Sequence, residues 1–355
     1  MLSKTTGVGL VNRRVLLAAR PDGIPTAEHF AIDEVAVPEP ADGQVLVRNH
    51  WLSVEPAMRG WVSAESNYSA PVPLGTVMRS YASGRVVSSR HPDFQPGDHV
   101  TGMLGWQDYA VASPETLRRI DETDLPLSTS LGVLGLNGVT AYFGLREAGR
   151  PRPGETVVVS TAAGAVGSCA GQIARIMGCR TVGIAGGPVK TALCLSDFGY
   201  DAAIDYKAGH DLDAAIATAC PDGIDVYFDN TAGPISDAVL RHLAVGARVV
   251  ICGTASVSTW TPPPLGPRVE RHLLAKRATM QGFLATDWTD RFGEARSAIA
   301  FWIREGKLTY KEDILDGLDE APEAISGLYR GDNLGKRLIR LTDMDSQHQD
   351  AARAR

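Results

Sequence analysis

The chemistry-bearing residues of this chain begin with the run Thr156–Gly171, which reads TVVVSTAAGAVGSCAG. A short β-branched apolar stretch, Thr156–Ser160, passes through small residues into a helical pattern that ends near Gly178. Small residues at such a turn let the backbone come close to a pyrophosphate, which then rests on amide groups at the positive end of the following helix. Gly164 and Gly167 occupy the second and third glycine positions of a dinucleotide fingerprint, and Ala162 stands in for the first. A glycine-rich match alone is a weak signal, and an ordinary strand–helix turn would look similar. Here it lies in the strand–turn–helix context that the chemistry requires.

The end of the next apolar run distinguishes NAD from NADP. Folds specific for NAD place an acidic side chain on the ribose roughly 20 residues after the glycines. This chain has Ala185-Gly186-Gly187-Pro188-Val189-Lys190 there, with a cation and no carboxylate. A cation in the first turn of a helix opposes the helix dipole, so its presence asks for a reason. Attraction to a ribose phosphate supplies one, and NADP(H) is the expected cofactor.

Cysteine chemistry is absent where a metal would need it. None of the five cysteines, Cys169, Cys179, Cys194, Cys220 and Cys252, lies before position 169; they form no CxxC pair and do not resemble a disulfide framework. His91 and His99 flank a Gly-Asp turn and read as surface or sheet-end residues.

The elements that must position these groups divide the chain in two. At 355 residues it exceeds the length at which single cores stop growing. Before Leu127, β-like runs at Val15–Ala18, Val45–Val47, Gly84–Ser88, His99–Gly102 and Tyr109–Ala112 are separated by turn signals such as Gln95-Pro96-Gly97-Asp98. A helix is expected over Leu127–Ala148. Apolar runs then alternate with helical segments: Thr156–Ser160, Thr181–Ala185, Ala202–Asp205, Ile224–Phe228, Ala247–Ile251 and Ala278–Leu284. That rhythm predicts a doubly wound α/β sheet. A further helix is expected at Asp290–Glu305, after which the chain returns to the β-rich domain. The expected organisation is a β-rich domain of residues 1–130 and 307–355 around a nucleotide-binding domain of residues 131–306.

A composition of 44% hydrophobic and 21% charged residues with a formal charge of −6 fits a soluble globular protein. It gives no general attraction for nucleic acid or anionic membrane. The beginning MLSKTTGVGLVNRR lacks the apolar core of a secretory leader, and a cytoplasmic location is expected.

The run Gly154–Gly171 together with GIDVYFDN at Gly223–Asn230 resembles the medium-chain dehydrogenase/reductase superfamily. More closely, it resembles its leukotriene B4 dehydrogenase/prostaglandin reductase group, which includes plant alkenal reductases and bacterial curcumin reductases. SVEPAMRG (Ser53–Gly60), GWQDY (Gly105–Tyr109), LGLNGVTAYFGL (Leu134–Leu145), CGTAS (Cys252–Ser256), QGF (Gln281–Phe283) and EGKLTY (Glu305–Tyr310) extend the likeness over nearly the whole chain. The resemblance implies a Rossmann-type doubly wound parallel sheet domain beside a β-rich GroES-like barrel domain. It also implies reduction of the C=C bond of an α,β-unsaturated ketone or aldehyde by hydride from NADPH, in a homodimer joined through the nucleotide domain.

Residue by residue, the resemblance puts the pyrophosphate on Gly164, Ala165, Val166 and Gly167, and the ribose phosphate on Lys190 and Tyr206. It gives Asn230 and Asn333 as cofactor contacts. Cys252, Gly253, Ser256 and Ser258 would line the nicotinamide, and Phe283, Leu284 and Ala285 would pass its amide. Zinc-dependent relatives carry a Cys and a Gly-His-Glu in the early barrel; here those stretches read SVEPAMRG and PLGTV, so no zinc is expected.

The chain departs from the family at its tyrosines. Ala57 replaces a pocket tyrosine, Ser258 replaces another, and Asn137 stands where a proline is common. Tyr81 in RSYASG matches a tyrosine of the plant reductases and is the candidate oxyanion donor, with Ser258 touching the ribose. A quinone reductase of the same superfamily and a non-enzymatic NADPH-binding relative are the alternatives.

Overall fold

The computed structural model describes residues 10–64, 69–209, 211–257, 262 and 264–341. They form two compact units: one takes the chain to Leu131 with Ile314–Arg330 and the stretch from Arg337, the other Gly132–Asp313 with Gly331–Lys336.

The strands in chain order begin with β1 (Val11–Leu17), β2 (Phe30–Ala36), β3 (Val45–Ser53), β4 (Ala82–Ser89), β5 (His99–Gly102), β6 (Tyr109–Ala112) and β7 (Leu117–Arg119). Then come β8 (Thr156–Ser160), β9 (Arg180–Ala185), β10 (Ala202–Asp205), β11 (Ile224–Asp229), β12 (Leu243–Ile251) and β13 (Thr279–Gly282). The chain closes with β14 (Glu312–Asp316) and β15 (Lys336–Arg340).

The first unit is the β-rich, barrel-type domain. Its main sheet runs β14-β15-β3-β4-β5-β7, with β6 on β3, and β1 pairs antiparallel with β2. β3 is long and largely buried, so it pairs with three neighbours and anchors the unit. The core gathers Val15, Leu17, Val47, Leu52, Met58, Met78 and Trp106. The Trp106 indole N–H donates to the carbonyl of Ser53 at 3.1 Å, which satisfies its one polar atom.

The second unit is a six-stranded sheet in the order β10-β9-β8-β11-β12-β13, parallel throughout. This is the doubly wound arrangement, with its reversal between β8 and β11. Its apolar runs lack alternation because both faces are covered. The helix after β8 is α1 (Ala165–Ile176), and the helix after β9 is α2 (Pro188–Ser196). Gly171 sits where a Cβ would lie 2.0 Å from the Tyr200 ring, so only glycine allows that approach.

Three expectations change. The single helix over Leu127–Ala148 is instead a 3-10 turn (Leu127–Leu131), an α-helix (Leu136–Phe143) and a wider π-type turn (Gly144–Gly149). Gly132 and the N-cap Gly135 separate the first two pieces, and inside the α-helix a Cβ on Gly138 would meet the Val133 carbonyl at 1.9 Å. Residues 307–313, expected with the barrel, group with the nucleotide unit, where Thr309 N–H donates to Gln172 Oε1 at 2.7 Å. Gly331–Lys336 does likewise, its Gly335 N–H donating to the Ala163 carbonyl at 3.0 Å. β2 had no expectation attached; only Phe30 of its seven residues is buried, so no apolar alternation marks it.

Candidate functional site

The glycine turn is built so that α1 can start against the end of β8. Thr161 takes a left-handed φ of 53°, turning the chain sharply. A Cβ on Gly167 would lie 2.2 Å from the Thr161 carbonyl oxygen, and one on Gly164 would lie 2.9 Å from Thr161 Cγ2. Glycine at 167 is therefore demanded by backbone proximity. Ala162, in the first glycine position, is fully buried and turned inward. Gly164 caps α1 in extended conformation, and Ala165 and Val166 follow half-buried in its first turn. The amides there have no intrahelical partner and sit at the positive end of the dipole.

Asn333 closes one side of this turn. Gly335 bridges Gly164, and the Asn333 side-chain amide donates to the Gly335 carbonyl at 2.8 Å.

At the end of β9 and β10 the positive groups converge. A Cβ placed on Gly331 would be 3.4 Å from Lys190 Nζ and 3.8 Å from Lys207 Nζ. Lys207 lies over the Tyr206 ring at 5.9 Å, and that exposed ring abuts Gly186. Asp205 Oδ1 accepts from the backbone N–H groups of Gly187 (2.7 Å) and Lys207 (2.9 Å), which ties the turn before the Lys190 helix to the turn carrying Lys207. Lys207 and Asp205 had no sequence signal that set them apart from ordinary surface residues.

The carboxyl ends of β8 and β11 are laced together across the reversal. Asn230 donates from its side chain to the Ser160 carbonyl at 2.7 Å and from its backbone to Ser160 Oγ at 2.8 Å. Behind it, the buried Asp229 carboxylate accepts from Tyr227, Thr231, Ala232 and Ser236. Burial and this carboxylate push the Tyr227 phenol far above its ordinary range. Cys252 and Gly253 N–H both donate to the Asp229 carbonyl, and desolvation, then the Asp229 charge, pushes the Cys252 thiol up to about 12. Ser256 Oγ donates to the Thr231 carbonyl at 2.7 Å, so that hydroxyl ties one loop to the next. Ser258 lies outside the described residues.

Phe283 packs edge-on against Phe228 and near Trp288, over Gly144. Its ring is a packing group, while Leu284 is exposed and Ala285 buried. Leu284 N–H is held by Asp287 at 3.1 Å.

In the barrel unit, Tyr81 immediately precedes β4. Its carbonyl accepts from Ser53 N–H and Ser80 Oγ, and its ring packs on Trp51, Ile120, Leu127, Leu131 and Leu338. Burial raises the Tyr81 phenol above its ordinary value, and the charge of Glu55 raises it further. Glu55 is 5% exposed and accepts from Ser53 Oγ at 2.9 Å. Sequence reasoning quoted Glu55 only within a motif. Ala57 sits half-buried beside the fully buried Met58.

Among the described residues, no three His, Cys, Asp or Glu side chains are placed to hold a metal. All five cysteines are free and none belongs to the barrel unit, so the residues present do not fit a zinc site there. No described helix is long and apolar enough to cross a membrane.

Residues 13–120 match the family model for the N-terminal domain of oxidoreductase, and residues 165–301 that for zinc-binding dehydrogenase. The chain is 44% identical to the NADPH-dependent curcumin reductase of Escherichia coli K12, over 94% of this chain and 98% of that one. It is 39% identical to the NADP(+)-dependent 2-alkenal reductase of Nicotiana tabacum, over 92% and 97%. The crystal structure of CurA from Vibrio vulnificus in complex with NADPH superposes with a TM-score of 0.89 at 40% identity, covering 93% of this chain and 99% of that one.

Proposed function

The chain belongs to the medium-chain dehydrogenase/reductase family, in the leukotriene B4 dehydrogenase/prostaglandin reductase group, and we propose that within it the protein reduces the C=C bond of α,β-unsaturated ketones and aldehydes. It is an NADP-dependent oxidoreductase. The observation that carries the finer reading is the near full-length identity to a curcumin reductase and a 2-alkenal reductase, whose named substrates carry a double bond conjugated to a carbonyl.

The residues of the nucleotide unit fit the cofactor. First-turn amides at Ala165, Val166 and Gly167 would hold the pyrophosphate, while Lys190 and Lys207 would hold the ribose phosphate, with Tyr206 alongside. Asn230, Asn333 and the backbone of Cys252–Ser256 and Phe283–Ala285 would complete the cradle. When bound, NADPH supplies the hydride that the β-carbon of the substrate accepts.

Negative charge then appears on the carbonyl oxygen, and with no metal ligand set to receive it, a hydrogen-bond donor must. Tyr81 is that donor in our reading. Its raised pKa keeps the phenol proton in place through the neutral range, and no described residue takes a hydrogen bond from its hydroxyl. Ser258 remains the proposed ribose contact.

The exposed edge strand β13, all four of whose residues are exposed, supports a homodimer formed through the nucleotide unit. Five free thiols accord with a cytoplasmic protein.

The test is NADPH oxidation measured over alkenals, cyclic enones, arylpropenones and quinones. Conjugated enones and alkenals should be turned over with saturation of the C=C bond, seen by mass spectrometry of the product. Turnover of quinones alone, or of nothing, would overturn the reading.

A further inference from the structure

A pair of guanidiniums stands in a row of polar side chains across the barrel unit, remote in sequence from the glycine turn. Across four adjacent strands, Tyr109 on β6, Arg48 on β3, Arg85 on β4 and His99 on β5 stand directly opposite one another. Two guanidiniums are thus placed as Cα partners, and like charges in that relation work against the sheet. His50, two residues along β3 from Arg48, lies at the irregularity between Asn49 and Trp51 and lines the same cavity. Arg48, His50 and Arg85 line a cavity of about 270 Å³ with Val86, Pro96 and Gly97.

Neither guanidinium has a carboxylate paired with it among the described residues, although Arg85 is exposed. The carboxylates that act on the row are Asp108, felt by Arg48, and Asp98, felt by His99. Asp108 accepts from Arg13 N–H at 3.2 Å, and Asp98 from Gln95 N–H at 2.9 Å and from Arg119 at 3.0 Å. Neither forms an ion pair with Arg48 or Arg85. Arg48 only leans on the Tyr109 ring at 5.9 Å, and Arg85 lies against the Gly97 turn.

His50 is the second, independent sign. It is 3% exposed, lines the cavity, and its Nδ1 finds no partner among the described residues. A buried ring nitrogen is ordinarily satisfied. With both arginines offering planar forks and an imidazole whose Nδ1 can donate in the tautomer that protonates it, the groups suit a tetrahedral dianion better than a single carboxylate.

We infer that Arg48, Arg85 and His50 form a binding site for a phosphate group, carried by inorganic phosphate or by a small phosphomonoester. The ligand would bridge β3 and β4 and quench the repulsion between the two guanidiniums.

The experiment uses the protein saturated with NADP⁺, so that the ribose-phosphate subsite is filled. Melting temperature is followed in inorganic phosphate, in glycerol 3-phosphate and in sulfate, each against chloride at matched ionic strength. Phosphate should raise the melting temperature, and a stronger response to glycerol 3-phosphate would identify the monoester as the fitting ligand. R85Q should abolish the response while melting at or above the parent in chloride, because a like-charge pair has been removed. R85K should weaken phosphate binding at least 3-fold, since it keeps the charge but loses the fork. Histidine side-chain NMR of the parent adds a reading that needs no variant: the His50 signal should shift on adding phosphate. An unchanged His50 signal, an equal response in R85Q, or sulfate stabilising parent and variant alike would overturn the proposal.

Discussion

The Lys190 and Lys207 ammoniums both approach Gly331, at 3.4 and 3.8 Å from the position its Cβ would take. Two cations from separate βα connections thereby address one small volume. Lys190→Ala should weaken NADPH much more than NADH, by ~1.5–3 kcal/mol for a lost charge-assisted contact. Lys207→Ala should show the same preference to a smaller degree, since its side chain is more exposed. Dissociation constants for both cofactors, by fluorescence titration, decide it; equal losses would dismiss the phosphate role.

Gly167→Ala tests the turn itself. The added carbon would meet the Thr161 carbonyl at 2.2 Å, and backbone cannot swing aside as a flexible side chain can. Overpacking of this kind costs about 1–3 kcal/mol. The variant should melt earlier and bind NADPH and NADH equally poorly, the opposite signature to Lys190→Ala. Parental affinity would mean that the turn has room we do not credit.

Tyr81→Phe should lower enone turnover roughly 10-fold or more with NADPH affinity nearly constant, because the lost donor acts as charge develops on oxygen. Burial first, then the Glu55 charge, holds the phenol proton on, so Glu55→Gln should lower the Tyr81 pKa somewhat and move the alkaline fall in turnover to lower pH. A pH–rate profile measures both. Parental turnover in Tyr81→Phe would make the residue a pocket wall.

His50 predicts an acid-side loss of stability. Burial first, then Arg48, His99 and Arg85, push its pKa down to about 4 from an ordinary 6.5. Between those values the unfolded chain binds a proton that the folded chain refuses, so stability is full above pH 6.5 and falls as pH drops toward 4. In phosphate-free buffer the melting temperature should decline through that window, and NMR titration should find His50 neutral at pH 6. A His50 titrating at its ordinary value would contradict the burial of its ring.

Much of the fold was legible because the signals are local. The unalternating runs of β8, β9 and β11, the small residues from Thr161 to Gly167 and the lysine after Pro188 each depend on neighbours within a few residues. The long helix at 127–148 misled, because its apolar pattern persists through Gly135, where the α-helix starts, and Gly144, packed against Phe283, where it gives way to the wider turn.

By itself the sequence determined the strand–turn–helix with its small residues, the cation at Lys190 where an acid would favour NAD, and the lack of a Cys or a Gly-His-Glu in the early barrel, since composition over short spans decides those. Only the tertiary structure decided that Lys207 and Gly331 join Lys190, that Glu55 acts on Tyr81, and that Arg48 faces Arg85 across a sheet. Such meetings come from strand register and from crossovers that bring together residues far apart in the chain. No periodicity within one segment encodes which segment will lie beside it, so these charges acquire their partners, or lack them, only when the sheets assemble.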